Sequence, residues 1–340
     1  MPVLQAIAAA LTFGLSAPIS KILLDEVSPL LLAGLLYLGA GVFLFLVRAV
    51  GPRPQTRRLR PRERWALFGV VATGGVLAPP LLLWGLARSP ASATALLLNL
   101  EVVFTTLLAG AVFGERLGRR VVGAATLMAI AGAVLAWPGD RLEFALPSLA
   151  VAGACLLWAL DNNLTRLVAD ADAVLVAQVK GLAAGSVNTT LGLGRGDAMP
   201  GASAVLASLG LGAVSYGTSL VLFILAMRGL GAARTGAYFA LAPFFGAAAA
   251  VTLLAEPLTP SLAVAAALMS VGLWLLVRER HTHRHRHPAG VHAHWHVHDE
   301  HHWHAHEGWE GPEPHSHPHA TGPLDHEHPH VHDLHHGEPH

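Results

Sequence analysis

The sequence predicts an all-α membrane protein of ten transmembrane helices, arranged as two inverted five-helix repeats and followed by a disordered, histidine-rich tail. Three observations predict it. Apolar runs long enough to cross a bilayer recur from residue 3 to residue 277. The fourth and ninth runs align without a gap when the sequence is slid by 141 positions: Ala91 falls on Ala232, Thr94 on Thr235, Leu100 on Leu241, Phe104 on Phe245 and Glu115 on Glu256. Composition then changes abruptly, because all 22 histidines lie between His281 and His340. With 53% hydrophobic and 13% charged residues, the chain departs from soluble domains, in which about a quarter of residues are charged.

A bilayer-spanning helix needs about 20 apolar residues. That length gives ten candidates: 3–24, 29–48, 64–86, 90–113, 119–137, 147–168, 172–192, 203–227, 231–254 and 260–277. Breakers fall between them. Ser28-Pro29 starts the second, Pro138-Gly139 closes the fifth, Pro147 opens the sixth, Pro200-Gly201 precedes the eighth, and Pro257 and Pro260 frame the last gap. Pro18, Pro79-Pro80 and Pro243 lie within or near spans, which membrane helices tolerate where neighbours satisfy the freed backbone groups. The openings of the halves also correspond. Leu11 to Lys21 matches Leu156 to Arg166, aromatic on aromatic and cation on cation. The expected divisions are 1–140, 141–278 and a tail over 279–340. Gly110-x-x-x-Gly114 and Gly181-x-x-x-Gly185 are candidates for close helix contact.

Cations set the expected orientation. With the N-terminus inside, the inner loops collect Arg48, Arg53, Arg57, Arg58, Arg60, Arg62 and Arg64, then Arg116, Arg119 and Arg120, then Arg166, Arg228, Arg234, Arg278 and Arg280. The outer side receives Arg88, Arg141 and Arg195, plus Lys21 near a span end. The positive-inside rule therefore puts both termini and the tail in the cytoplasm, in a cytoplasmic (inner) membrane. An odd number of spans per copy inverts the second copy. The N-terminus lacks a signal peptide's basic region and cleavage site, so the first run is expected to remain as a span. The single cysteine, Cys155, allows no internal disulfide and no CxxC motif.

Two copies of five spans, an opening Phe13-Gly-Leu-Ser-Ala-Pro-Ile-Ser-Lys21, and a fourth span ending Gly114-Glu-Arg-Leu before Gly118-Arg-Arg-Val-Val-Gly resemble EamA-type members of the drug/metabolite transporter superfamily. The resemblance covers about residues 3–277. It implies secondary transport, often export, and leaves the substrate open among amino acids, drugs, sugars, nucleotides and other metabolites. One departure is visible. Relatives often carry proline after the acid of the fourth span, where this chain has Val102, while the second copy keeps Pro243. A weaker helix break is expected in the first copy.

A charge at the centre of a span costs about 2.5–3.5 kcal/mol on insertion scales, so each needs a reason. Lys21 and Arg166 sit near span ends, where they can snorkel. Glu101 does not. On a helix it shares a face with Thr94, Leu98 and Thr105, a weakly polar stripe, and Asn99 lies beside it. Glu101 is therefore a candidate to bind a substrate cation or carry a coupling proton, because burial disfavours a carboxylate's charged form. A structural acid bonded across helices is the alternative. Trp158, Asp161, Asn162 and Thr165 form one polar helix face, and Asp161 and Lys180 lie at similar depth on consecutive antiparallel spans. An Asp161–Lys180 ion pair is expected, as a helix lock or as part of the site. Gln178, Gly181, Gly185 and Asn188 continue a small and polar face on the seventh span.

The tail places His281, His283, His285 and His287, then His292, His294, His296 and His298, then His301, His302, His304 and His306 at close spacing, with carboxylates such as Asp299 and Glu300 among them. Neutral imidazole suits Zn, Ni, Co or Cu, so the tail is expected to bind these metals and to release them below about pH 6. It has too little apolar content to order without metal. Three functional readings remain open: a secondary transporter, probed first as an exporter of a small metabolite or ion; a divalent-metal exporter with the tail as collector; and a metal-sensing membrane protein that transports nothing. No nucleophile–base or metal–water constellation points to an enzyme, no cofactor is required, and no basic surface invites nucleic acid. The expected partners are the bilayer and a small-molecule or cation substrate, with a homodimer compatible.

Overall fold

The computed structural model describes residues 1–51, 60–113, 118–136, 145–168 and 172–277, together with the backbone of four short stretches between 281 and 330. Glu115, Arg116, Trp137, Pro138, the 52–59 loop cations and tail residues such as His298, His301, His302, His304 and His306 lie outside the described residues.

The first span is α1 (Pro2–Gly14) and α2 (Ser16–Leu23), separated at Leu15 because Pro18 has no N–H to offer the Gly14 carbonyl. Next comes α3 (Pro29–Val50), with proline in its first turn and the Ser28 hydroxyl accepting from the Leu31 N–H at 3.3 Å. The third span runs through α4 (Pro61–Val70), a π-helical segment (Val71–Leu77) and α5 (Ala78–Ala87). The fourth is α6 (Ala91–Leu97) and α7 (Leu100–Phe113), followed by α8 (Arg119–Ala136). The second half repeats the order. It has α9 (Ala145–Thr165), α10 (Ala173–Gly194), α11 (Ala202–Gly212), a π-helical segment (Ala213–Thr218), α12 (Ser219–Leu230), α13 (Ala232–Phe239), α14 (Ala242–Leu253) and α15 (Pro260–Val277). Gly231, at φ 78°, takes the left-handed backbone that parts α12 from α13, a conformation that favours glycine.

Among the described residues, eight of these units are long and apolar enough to cross a membrane. The other two, α9 and α10, have 21 and 22 residues but carry the polar side chains described below.

The halves correspond in irregularities as well as in order. Both third spans contain a π-helical segment at matching positions, and both fourth spans break at matching positions, at Leu98–Asn99 and at Ala240–Leu241. The break in the first copy therefore forms although Val102, not proline, follows Glu101. Asn99 supplies the reason: its amide donates to the Leu96 carbonyl at 3.1 Å, satisfying an acceptor that a continuous helix would have used.

Packing is close and glycine-mediated. α3 and α10 cross at the centre, where a Cβ on Gly181 would lie 2.8 Å from the Gly41 Cα and one on Gly185 2.6 Å from the Leu38 N. The Gly181-x-x-x-Gly185 expectation thus holds; Gly114 of the other pattern is outside the described residues. α3 also meets the eighth span, where a Cβ on Gly212 would overlap the Leu36 carbonyl. Small residues allow such backbone approach where apolar burial gives helices no preference for each other over lipid. Gly212→Ala is therefore expected to destabilise the bundle by about 1–3 kcal/mol through overpacking. Thermal unfolding in detergent would read this as a fall of several degrees in Tm.

In the tail, β1 (His281–His287) pairs antiparallel with β4 (Leu324–His330), and β2 (Gly290–His296) with β3 (His315–Thr321). Register sets His281, His283 and His285 opposite His330, His328 and His326, and His292, His294 and His296 opposite His319, His317 and His315. The sequence predicts a tail disordered when free of metal, and an isolated two-stranded pairing is itself marginal in water.

Candidate functional site

The site begins with a sequence fact whose consequence is spatial. Pro79 and Pro80 cannot donate backbone hydrogen bonds, so carbonyls one turn earlier lose their partners. The helix relaxes there into the π-helical segment Val71–Leu77. Side chains from three other spans supply the missing donors. Tyr37 Oη donates to the Gly74 carbonyl at 2.7 Å, Trp158 Nε1 donates to the same oxygen at 2.9 Å, and Asn188 Nδ2 donates to the Gly75 carbonyl at 3.2 Å.

Glycine at both positions lets the neighbours approach. A Cβ on Gly74 would overlap the Asp161 carboxylate, and one on Gly75 would meet the Ala184 Cβ at 2.6 Å and the Lys180 Cγ at 3.4 Å. Against this segment lies the Asp161–Lys180 ion pair, with Lys180 Nζ donating to Asp161 Oδ2. Asp161 is only 6% exposed along its side chain, and Lys180 20%. The other Asp161 oxygen, Oδ1, is buried with no hydrogen-bond partner among the described residues. Pairing offsets most of the cost of burying each charge, and the free Oδ1 leaves capacity for a further donor.

One turn away stands Glu101. It lies in the first turn of α7, just past the break at Leu98–Asn99, where the positive end of the helix dipole favours negative charge. Asn162 Nδ2 donates to Glu101 Oε1 at 2.8 Å and lies 3.3 Å from Thr105 Oγ1. Asn163, its neighbour, holds α9 against α7 through the Thr105 carbonyl at 3.2 Å. Glu101 and Lys180 are partly exposed and Asn162 is exposed; Glu101 opens α7, Lys180 lies within α10 and Asn162 lies in the last turn of α9.

A run of aromatic rings adjoins the cluster. Tyr37 and Tyr216 have ring centroids 5.8 Å apart, Tyr216 and Phe13 5.7 Å, Phe13 and Phe239 5.3 Å, and Phe239 and Phe223 5.1 Å. The chain of rings starts at Tyr37, which shares its acceptor with Trp158, so it joins the polar cluster directly. Half-helix ends, an acid, an ion pair and a run of aromatic rings thus come together. Discontinuous helices of this kind form binding sites in secondary transporters.

The eight candidates from the sequence separate as follows. Glu101, Thr105 and Asn162 form one cluster, and Trp158, Asp161 and Lys180 form the adjoining one. Asn99 is buried and turned towards the Leu96 carbonyl and the Met269 sulfur. Gln178 accepts from Arg48 Nη1 at 3.3 Å, and Arg48 Nε also pairs with Asp172 at 3.0 Å, so Gln178 belongs to a network near the α10 N-terminus. Lys21 reaches the turn between α5 and α6. Its ammonium donates to the carbonyls of Leu86, Ala87 and Ser89 at 2.7, 3.0 and 3.0 Å. Sequence reasoning missed Tyr37, Gly74, Gly75 and the run of aromatic rings; Pro79-Pro80 after Gly-Gly was the available signal.

Comparison with known proteins agrees with this architecture. Residues 1–137 match the EamA-like transporter family. The chain is 29% identical over 297 residues to an uncharacterized transporter of Methanothermobacter thermautotrophicus, covering 79% of this chain and 84% of that protein. A solved crystal structure superposes with a TM-score of 0.60 at 22% identity, over 82% of this chain and 97% of its own, which establishes a shared fold. Residues 1–137 are thus similar to an EamA-like transporter domain, in agreement with the resemblance to EamA-type membrane transporters read from the sequence.

Proposed function

We propose that the chain is a secondary-active transporter of ten spans that exports a small metabolite or ion across the cytoplasmic membrane by alternating access. The observation that carries this reading is the convergence of Glu101 and the Asp161–Lys180 pair on broken and π-helical segments, beside a run of aromatic rings. Charges are retained within spans where they act on a solute or a coupling ion. Glu101 is the group that receives the substrate cation or the coupling proton. The Asp161–Lys180 pair offers both signs of charge, and the rings offer an apolar face. A small organic solute with a charged end and an apolar part fits this combination. The cation asymmetry supports both termini and the tail on the cytoplasmic side.

A second reading, export of a divalent transition metal collected by the tail, is favoured by one observation: the strand register that sets histidine opposite histidine on six rungs. Directly opposed residues lie about 4.5–5.5 Å apart at Cβ, a spacing suited to two imidazoles on one metal ion. The membrane site itself carries no histidine, since none precedes His281. The two readings separate in cells challenged with Ni, Co, Zn or Cu. Under the metal reading, the full chain lowers the cellular content of one metal, and a chain ending at residue 280 does so less. Under the organic-solute reading, neither changes any metal.

A further inference from the structure

We propose that the Glu256 carboxylate is a latch that holds one end of the solute path closed by capping the start of α6. The contact is specific. Glu256 Oε1 accepts from the Ala91 N–H at 2.6 Å, and Oε2 accepts from the Ser92 N–H at 2.9 Å and from the Ser92 hydroxyl at 2.5 Å. These are the first N–H groups of a helix, which have no acceptor within it and which favour an anion. Glu256 reaches them from the connection between α14 and α15, more than 160 positions along the chain.

Lys21 grips the other side of the same turn. Its three bonds to the Leu86, Ala87 and Ser89 carbonyls cap the end of α5, so the α5–α6 turn is held by a cation from the first span and an acid from beyond the ninth. Ala255, immediately before Glu256, sits at φ 52°, the only non-glycine residue with positive φ among the described residues. A residue with a Cβ keeps that conformation where its surroundings enforce it, and such strain gathers at switching elements. The three bonds made by Glu256 follow it directly in the chain.

α6 packs along α14 and against α2, and Thr94, one turn inside the latch, is fully buried with its hydroxyl unpartnered among the described residues. Among the described residues, the corresponding pair at the opposite end, α7 and α13, does not pack together in this way. Two repeats that are alike in sequence and in helix breaks therefore differ in whether these helices meet. For a path to open at the closed end, α6 has to leave α14, and the Glu256 bonds are the polar contacts that must break. The latch gains its purpose from the transporter reading, but its test needs no substrate.

The test uses the full chain in membranes, with Cys155→Ala removing the native thiol and Thr94→Cys placing a reporter behind the latch. Labelling by a membrane-impermeant maleimide is timed from the Glu256 side, in intact cells and in inverted vesicles. Glu256→Ala is expected to raise the rate about tenfold, the size expected for losing hydrogen bonds to a charged group. Ser92→Ala, which leaves the two backbone bonds intact, is expected to raise it less. Ala255→Gly relaxes the strain without touching the contact and is expected to lower it. Unchanged labelling in Ser92→Ala and Ala255→Gly overturns the latch, even if Glu256→Ala fails to reach the membrane. Altered labelling with no transported solute ever found would leave the latch standing and remove the transporter reading.

Discussion

Glu101→Gln abolishes transport while leaving the amount of protein in the membrane unchanged. Glutamine keeps the length of the side chain and an oxygen that accepts from Asn162 Nδ2, so the α7–α9 contact survives. What disappears is the charge and the exchangeable proton, placed in the first turn of a half-helix at mid-depth. A purely structural acid tolerates this replacement, because the cross-helix hydrogen bond is preserved. A group that binds a cation or carries a proton does not. Efflux measured beside membrane abundance separates the two, and full efflux in this variant removes Glu101 from the mechanism. Thr105→Ala is a control of smaller effect, since it removes only the longer of the two Asn162 contacts.

The Asp161–Lys180 pair gives the second large effect. Lys180→Met leaves an uncompensated carboxylate in a nearly closed environment and is expected to cost about 3–5 kcal/mol of stability. Asp161→Asn has a comparable effect from the other side. The double variant Asp161→Asn with Lys180→Met removes both charges and is expected to regain most of that loss, because a buried pair and its neutral replacement differ little in net energy. Stability and function then part. If the pair only locks α9 to α10, the double variant recovers thermal stability and transport together. The position of the pair against Gly74 and beside the Trp158 ring predicts recovered stability without recovered transport.

How much of this was legible in the sequence depends on the range of the interaction concerned. Span order, the repeat and the shared depth of Asp161 and Lys180 follow from periodicity and length, which are local properties, and the structure brings that pair together as expected. Glu101 stood out because a lone acid in an apolar run demands a reason. Tyr37 looked like an ordinary member of its helix, and Asn188 only like part of a polar face. They matter because Pro79 and Pro80 free carbonyls on a third helix, a link that requires knowing which helices adjoin. Gln178 was assigned to the site by its helix face, yet the competing donor Arg48 comes from α3, and helical spacing cannot reveal a neighbour. The break before Glu101 does not require a proline after the acid. Asn99, which satisfies the freed carbonyl with its own side chain, achieves the same result.

The central claim is that the chain moves a solute through a site containing Glu101. The most direct measurement compares cells carrying the wild-type chain, the Glu101→Gln variant and no chain, with small-molecule and metal contents of cytoplasm and medium measured together. The account predicts at least one solute that is depleted from the cytoplasm and enriched in the medium with the wild type, and that returns to the level of the empty cells with Glu101→Gln. If the wild type and the variant, present in the membrane in equal amounts, give the same profile for every solute, the account is contradicted.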